Sequence, residues 1–345
     1  EDGSVYFRIS AFDGYGRLSG NRADGETGRS RIDADEYDKD DVRDFVLWKS
    51  TRDEDRDVGA VWDSPWGEGR PGWHLECSVL SCTELGDTLD VHLGGEDLLF
   101  PHHENEIAQS EGATGHTFAR FWLHTKHLRV EGRKMSKSLG NTYTIEDLVE
   151  KGYRPSSIRH LLLSAHYRKE LNFTFDGLDA SAKAVQRLVA LERRLDELEV
   201  ASDGEDSAPD AGLPGLAEMA VADFEAALDA DLNSSEALAA RFVFGSGVTS
   251  ALDAGGGEPV APAARTAALD ALRRMDEIFG LLPLAAREGA TDDDLSGWVE
   301  AKLAERVAAR EAKDWARADA IRDEITERGI VLEDTPKGTR WSVGG

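Results

Sequence analysis

The chain has 345 residues, 40% of them hydrophobic, and a formal net charge of −27 from 67 acidic and 40 basic residues. That length allows two or three domains with a sizeable core. No run of about 18 apolar residues occurs, which argues against a helical membrane span, and two cysteines, Cys77 and Cys82, exclude a disulfide framework and suit a reducing intracellular compartment.

Residues 1 to 70 read as strand and loop. Ser4 to Ile9 alternates as a strand, Gly14 to Gly20 is a turn region, and Asp44 to Lys49 is a second strand-like run, with Trp48, Trp62 and Trp66 set among Pro and Gly. The pattern then becomes α/β. A helix is predicted over 73–85, ended by Gly86. Thr88 to Leu93 alternates, with Leu89, Val91 and Leu93 on one face and Asp90 and His92 on the other. Gly94-Gly95-Glu96-Asp97 follows that strand. A helix opens at Pro101 and runs to about Glu111, and Phe121 to Val130 is one further strand. Strand, helix, strand with candidate ligands at strand ends is the arrangement of a doubly wound sheet.

From Thr144, where Thr144 and Asp147 suit a helix start, the chain is nearly all helical. Helices are expected over 155–166, 178–198, 216–229, 234–251 and 262–281, with a linker at 200–215 and a loop at 254–264. A last unit covers 291–345: helices near 294–311 and 313–328, then a hairpin from Gly329 to Trp341. The acidic residues spread through every segment while apolar periodicity survives, and Lys is scarce, 11 against 29 Arg. Such a surface suits a salt-rich cytoplasm, where charge repulsion is screened over about 3 Å at 1 M salt.

Three motifs carry chemistry. Lys134-Met135-Ser136-Lys137-Ser138-Leu139-Gly140-Asn141 places two lysines three apart in a short mobile cationic loop, suited to wrapping a polyphosphate. His102 and Glu106 stand four apart at a helix start, so their side chains share a face. With the thiolate of Cys77 they make a donor set for Zn2+. On spacing alone the same residues also suit a capped helix with surface histidines and a structural cysteine. Trp73 lies one helical turn before Cys77, on the same face.

Gly72-Trp73-His74-Leu75-Glu76-Cys77-Ser78, then Phe100-Pro101-His102-His103-Glu104-Asn105-Glu106-Ile107-Ala108-Gln109-Ser110, then the Lys134 to Asn141 run are similar, in this order and spacing, to the cysteinyl-tRNA synthetase family, within class I of the aminoacyl-tRNA synthetases. The likeness extends along the chain, through Asp229 to Ser234, Ala312 to Asp319 and Gly329 to Asp334. It implies an α/β chain: the C-terminal part of a doubly wound, Rossmann-like catalytic domain, followed by an all-α tRNA-binding region. The implied segments are a connective insertion at 1–70, the second half of the catalytic domain with its metal site at 71–130, the lysine loop and stem-contact helices at 131–200, an anticodon-binding bundle at 201–290 and a C-terminal tRNA-binding unit at 291–345.

The resemblance further implies ATP-dependent activation of L-cysteine to cysteinyl-adenylate and its transfer to tRNA(Cys), in the cytoplasm, by a monomer when full-length. It implies Cys77, His102 and Glu106 as three ligands of Zn2+, the fourth lying ahead of residue 1. Lys134 and Lys137 would be catalytic. Met135, Ser136, Ser138, Gly94 and Asp97 would join them around ATP with Mg2+, and Trp73 and His92 would line the cysteine pocket. Cys82 matches no ligand position and is expected to pack. His74, His103, His124 and His127 are weaker candidates. Arg306, Arg310, Lys313 and Arg317 would form a basic stripe, and Trp341 could stack a base. A His-Ile-Gly-His element is not found, so a segment carrying it is expected ahead of Glu1, and the chain alone is expected to be inactive. Two other readings remain: a cysteine:amino-sugar ligase of mycothiol synthesis, and a non-catalytic zinc-bearing RNA-binding relative.

Overall fold

The computed structural model describes residues 3–21, 44–201, 209–327, 330–335 and 338–343. The chain forms two compact units, one of residues 1–127 with 167–169 and one of the remainder.

In the first unit, β1 (Val5–Phe7), β2 (Phe45–Ser50) and β3 (Gly69–Pro71) form an antiparallel sheet, with Phe7 opposite Phe45 and Trp48 opposite Pro71. A short helix, α1 (Asp53–Asp57), interrupts the β2–β3 connection. Then α2 (Trp73–Leu85), β4 (Leu89–Gly95), α3 (Glu104–Thr114) and β5 (Ala119–Thr125) follow, with β4 and β5 parallel and Leu89 opposite Ala119. This is the β-α-β unit expected. α3 begins three residues later than the sequence suggests. The backbone leaves helical dihedrals at Phe100 (φ −140, ψ 132), and a wide turn over Leu99–His103 comes before it.

Two buried side chains fix α3 to the chain N-terminal to it. Glu104 is fully buried and its carboxylate accepts the amides of Gly16 and Ser19, both at 2.8 Å. Tyr15 donates its hydroxyl to Asn105 Oδ1 at 2.6 Å. Ser78 of α2 donates to Gln109 Oε1 of α3 at 2.6 Å, which sets the spacing of the two helices around the candidate ligands. Cys82, as expected, packs against the apolar cluster of Leu89, Ile107, Phe118 and Ala119.

The single strand expected over 121–130 is two. β5 ends at Thr125, and β6 (Leu128–Val130) belongs to the second unit. Alternation cannot see a chain that leaves one sheet for another. Lys126 donates its amide to Tyr167 O at 2.8 Å at the break. In the second unit β6 pairs antiparallel with β7 (Arg133–Lys134) and parallel with β8 (Leu171–Phe173). Glu131 and Gly132, at φ +50 and +72, make the two-residue turn of the β6–β7 hairpin.

The helices are α4 (Ile145–Glu150), α5 (Pro155–Leu163), α6 (Phe175–Asp196), α7 (Leu213–Asp229), α8 (Ser234–Ala254), α9 (Pro262–Phe279), α10 (Leu281–Glu311) and α11 (Trp315–Glu327). α4 carries the expected cap: Asp147 donates its amide to Thr144 Oγ1 at 3.1 Å, and Thr144 donates its own to Asp147 Oδ2 at 2.7 Å. Leucines and alanines of α6, α7, α8 and α9 interlock in one core around Phe224, Phe244 and Met275. The helix expected near 294–311 is the second half of α10, which starts at Leu281 directly after Gly280 (φ +60). β9 (Ile330–Thr335) and β10 (Gly338–Val343) pair antiparallel as the terminal hairpin. No described helix is long and apolar enough to cross a membrane.

Candidate metal and nucleotide site

α2 and α3 bring the three expected ligands together. One donor atom each from Cys77, His102 and Glu106 lies within 4.8 Å of the others. His102 and Glu106 are buried and Cys77 is half-buried. His102 Nδ1 is engaged by His74 Nδ1 at 2.7 Å, while its Nε2 stands 2.9 Å from Glu106 Oε1. Although so close, that pair lacks hydrogen-bond geometry, and among the described residues the buried Glu106 Oε1 has no hydrogen-bond partner. The other carboxylate oxygen, Oε2, meets His92 Nε2 at 2.6 Å. A thiol sulfur, an imidazole nitrogen held by a second histidine and an unpartnered carboxylate oxygen, all turned to one centre, fit a zinc ion.

The titration behaviour has the same origin. Burial alone would raise the Glu106 carboxyl, but the imidazoles of His102 and His92 against its two oxygens outweigh burial and bring it down to about 2. Burial pushes the Cys77 thiol up, and the Glu106 carboxylate adds to it, to about 11. Burial and the neighbouring imidazoles bring His74 and His103 down to about 4. His74 and His103 are therefore neutral near pH 7.

Trp73 lies over this centre, its ring 4.4 Å from His102 and 5.3 Å from His74 between centroids, with more than half its surface exposed. His92 keeps the side of β4 opposite Val91 and Leu93, as the alternation predicts. It turns inward to Glu106 and packs edge-on to Phe118 and Trp122, while Val91 and Leu93, expected as the apolar face, are exposed. The carboxylate of Glu106 draws the imidazole in. His103 packs beside His92 and engages His124 Nε2 through Nδ1 at 2.8 Å. His74, His103 and His124 are thus part of the cluster. His74, three residues before Cys77 on one helix face, could have been found from spacing, whereas His124 lies 21 residues from its partner.

The space that a side chain on Gly94 would take is filled by the His103 ring, 2.8 Å from a Cβ placed there, and a Cβ on Gly95 would lie 2.4 Å from Asp97 Oδ1. Gly94 therefore has a packing reason that its place after a strand did not reveal, whereas the exposed Asp97 carboxylate can swing away from Gly95.

Lys134 to Ser138 lie in the second unit. Both lysines are exposed, and among the described residues neither has an ion-pair partner, although the chain carries 67 acids. Met135 packs against the cluster of Val130, Leu148 and Phe173. The loop is less free than its sequence implies, because Asn141 bonds to it twice: Ser136 donates its amide to Oδ1 at 2.9 Å, and Nδ2 donates to Lys134 O at 3.1 Å.

The basic stripe does not form as expected. Arg306 is buried and donates to Thr339 Oγ1 at 3.2 Å, and Arg317 is paired with Glu305 at 3.3 Å. The first is turned inward with its guanidinium on the terminal hairpin, and the second is neutralised by an acid. The side chain of Trp341 and residues 202–208 of the expected linker lie outside the described residues.

A β-α-β unit with a buried metal-type donor set, and an exposed Lys-Met-Ser-Lys-Ser loop elsewhere in the chain, define a class I aminoacyl-tRNA synthetase. Residues 1–183 match the family described as tRNA synthetases class I (C) catalytic domain, and residues 292–341 match the cysteinyl-tRNA ligase anticodon binding domain. The chain is 50% identical over 340 residues to a cysteine--tRNA ligase of Solibacter usitatus, covering 99% of this chain and 70% of that protein. It is 46% identical to one from Koribacter versatilis (99% and 72%) and 44% identical to one from Alkalilimnicola ehrlichii (99% and 70%). The chain belongs to the cysteinyl-tRNA ligase family.

Proposed function

We propose that the chain belongs to an enzyme that activates L-cysteine with ATP and Mg2+ and esterifies it to tRNA(Cys), selecting the thiol through zinc. A carboxylate oxygen of cysteine attacks the α-phosphorus of ATP and pyrophosphate leaves. A hydroxyl of the terminal tRNA ribose then attacks the carbonyl carbon and AMP leaves. The convergence of Cys77, His102 and Glu106 carries the reading. These three would hold zinc, which when bound offers a soft acceptor that prefers a thiolate to a hydroxyl. Shape alone separates near-isosteres by only about 1–3 kcal/mol, so a donor set of this kind removes the need for a separate editing step.

In this reading Trp73 covers the side chain of the bound amino acid, and His92 both lines the pocket and steadies Glu106. Gly94 and Asp97, at the end of β4, take the ribose side of the nucleotide. Lys134 and Lys137 neutralise charge on the phosphates as pyrophosphate departs, with Met135, Ser136 and Ser138 shaping the loop. The helical segment and the 291–345 unit read the tRNA. A match to an anticodon binding domain favours this over an amino-sugar ligase, which has no anticodon to read. A cytoplasmic monomer is the expected state of the full-length enzyme.

Cys77→Ser is the test. Zinc affinity should fall by about a hundredfold or more, read by competition with a chelator, together with loss of cysteine-over-serine discrimination in pyrophosphate exchange by the full-length enzyme. Zinc retained with full discrimination refutes the ligand assignment.

A further inference from the structure

We propose that Asn141 is the positioning residue of the phosphate loop: its carboxamide ties the neck so that Lys134 and Lys137 are presented together, with no contact of its own to substrate. The inference rests on the reading of those lysines given above.

The loop leaves a short rigid stem. The turn at Glu131–Gly132 is fixed from both sides, since Glu131 donates its amide to Phe173 O at 2.9 Å and Gly132 donates its own to Asn172 Oδ1 at 2.7 Å. Glu131 also accepts the amide of Phe175 at 3.0 Å. Lys134, the last residue of that stem, would otherwise have a free carbonyl facing the returning chain. The Asn141 Nδ2 bond to Lys134 O closes the gap from one side, and the Ser136 amide on Oδ1 closes it from the other. One planar side chain thus holds the backbone on both sides of Met135, and Met135 itself sits against the apolar cluster below. Lys137 opens a short turn that ends at Gly140 (φ +64), and Gly140 donates its amide to Lys137 O at 3.1 Å. Between these ties the two lysine side chains stay exposed and, among the described residues, without an ion-pair partner.

The chemistry calls for such a device. Two mobile ammonium groups must meet one polyphosphate at once, and ordering them only on binding would subtract from the interaction. Only an amide of this length gives an acceptor and a donor in one plane. Alanine gives neither, and aspartate keeps the acceptor for Ser136 while facing the Lys134 carbonyl with a like-charged oxygen.

Pyrophosphate exchange by the full-length enzyme, with ATP and cysteine varied in turn, separates the outcomes, and Lys137→Ala serves as the reference. Asn141→Ala should lower kcat/KM for ATP by about tenfold to a hundredfold, leave KM for cysteine within about twofold and leave the melting temperature unchanged. Asn141→Asp should fall between alanine and the parent. If Lys137→Ala collapses exchange while Asn141→Ala matches the parent, or if Asn141→Ala weakens cysteine as much as ATP, the positioning role is overturned and the lysine reading stands. If Lys137→Ala itself is silent, the lysine reading fails and the inference falls with it.

Discussion

The two units each bury a polar cluster, and the clusters differ in what they lack. Around Glu106 stand a buried carboxylate, a half-buried thiol and imidazoles, all electron donors, and among the described residues Glu106 Oε1 has no hydrogen bond. In the helical unit the fully buried Arg241 places Nη1 2.7 Å from Asp276 Oδ1. The same Asp276 carboxylate accepts the amides of Leu281 and Leu282, at 3.0 and 2.8 Å, where α10 begins after Gly280. Burial and Asp276 pull Arg241 in opposite directions, and burial prevails in lowering it. The second cluster sets cation against anion at a helix start, although among the described residues Nε, Nη1 and Nη2 of Arg241 make no hydrogen bond. The first gathers donors of one kind, which is the reason a cation is proposed there. A buried polar group is therefore evidence for a ligand site when its neighbours are of its own kind, and evidence for a structural fastener when they are of the opposite kind.

The largest expected effect lies in the helical unit. Asp276→Asn removes the charge opposite a buried guanidinium and weakens the start of α10. It should destabilise folding by about 3–5 kcal/mol, the usual loss when one partner of a buried pair is removed. Urea unfolding would measure it. Zinc affinity should not change, the opposite pattern to Cys77→Ser. A variant of normal stability would show that the Arg241 contact contributes little.

The second effect is in the pH dependence of the same unit. His160 bonds Ser181 Oγ through Nδ1 at 3.0 Å, and among the described residues its buried Nε2 has no hydrogen-bond partner. Burial, then the charges of Arg241 and Arg187, bring it down to about 4 from its ordinary 6.5. The folded state thus holds His160 neutral, while the unfolded chain takes a proton below pH 6.5. Stability from this residue is present above pH 6.5 and is lost as pH falls from 6.5 toward 4, about 3 kcal/mol in all. His160→Gln should flatten that part of the urea-stability profile relative to the parent. Parallel profiles for parent and variant would remove His160 from the acid response.

Legibility followed the same division. Cys77, His102 and Glu106 stand out as a set through the resemblance of the short runs that hold them, since spacing alone also suits a structural reading, and the helices at 178–198 and 262–281 are legible within a few residues because their apolar stripes are strong. What could not be read depends on partners distant in sequence. The inward turn of His92 needs Glu106, the second bond of Asn141 needs the bend of the loop, and the inward Arg306 needs Thr339, 33 residues on. The split of the 121–130 strand was hidden for a related reason: two short strands in different sheets read as one alternating run.

Gly94 tests whether the donor cluster is rigid, and its effect should be the smallest. A methyl group there would lie 2.8 Å from His103 Cε1 and 3.1 Å from Leu98 Cδ1. His103 is buried and held through Nδ1 by His124, so the ring cannot retreat without breaking that bond. Leu98 can yield more easily, because its contact is the tip of a flexible chain. Gly94→Ala should therefore destabilise by about 1–3 kcal/mol, the range for forcing a carbon into a packed site, with a smaller loss of zinc affinity than Cys77→Ser, since His103 is not one of the three proposed ligands. Urea unfolding and chelator competition on the same preparation would check both. Unchanged stability would mean that the histidine ring moves freely, and the packing reason for a glycine at this strand end would be withdrawn.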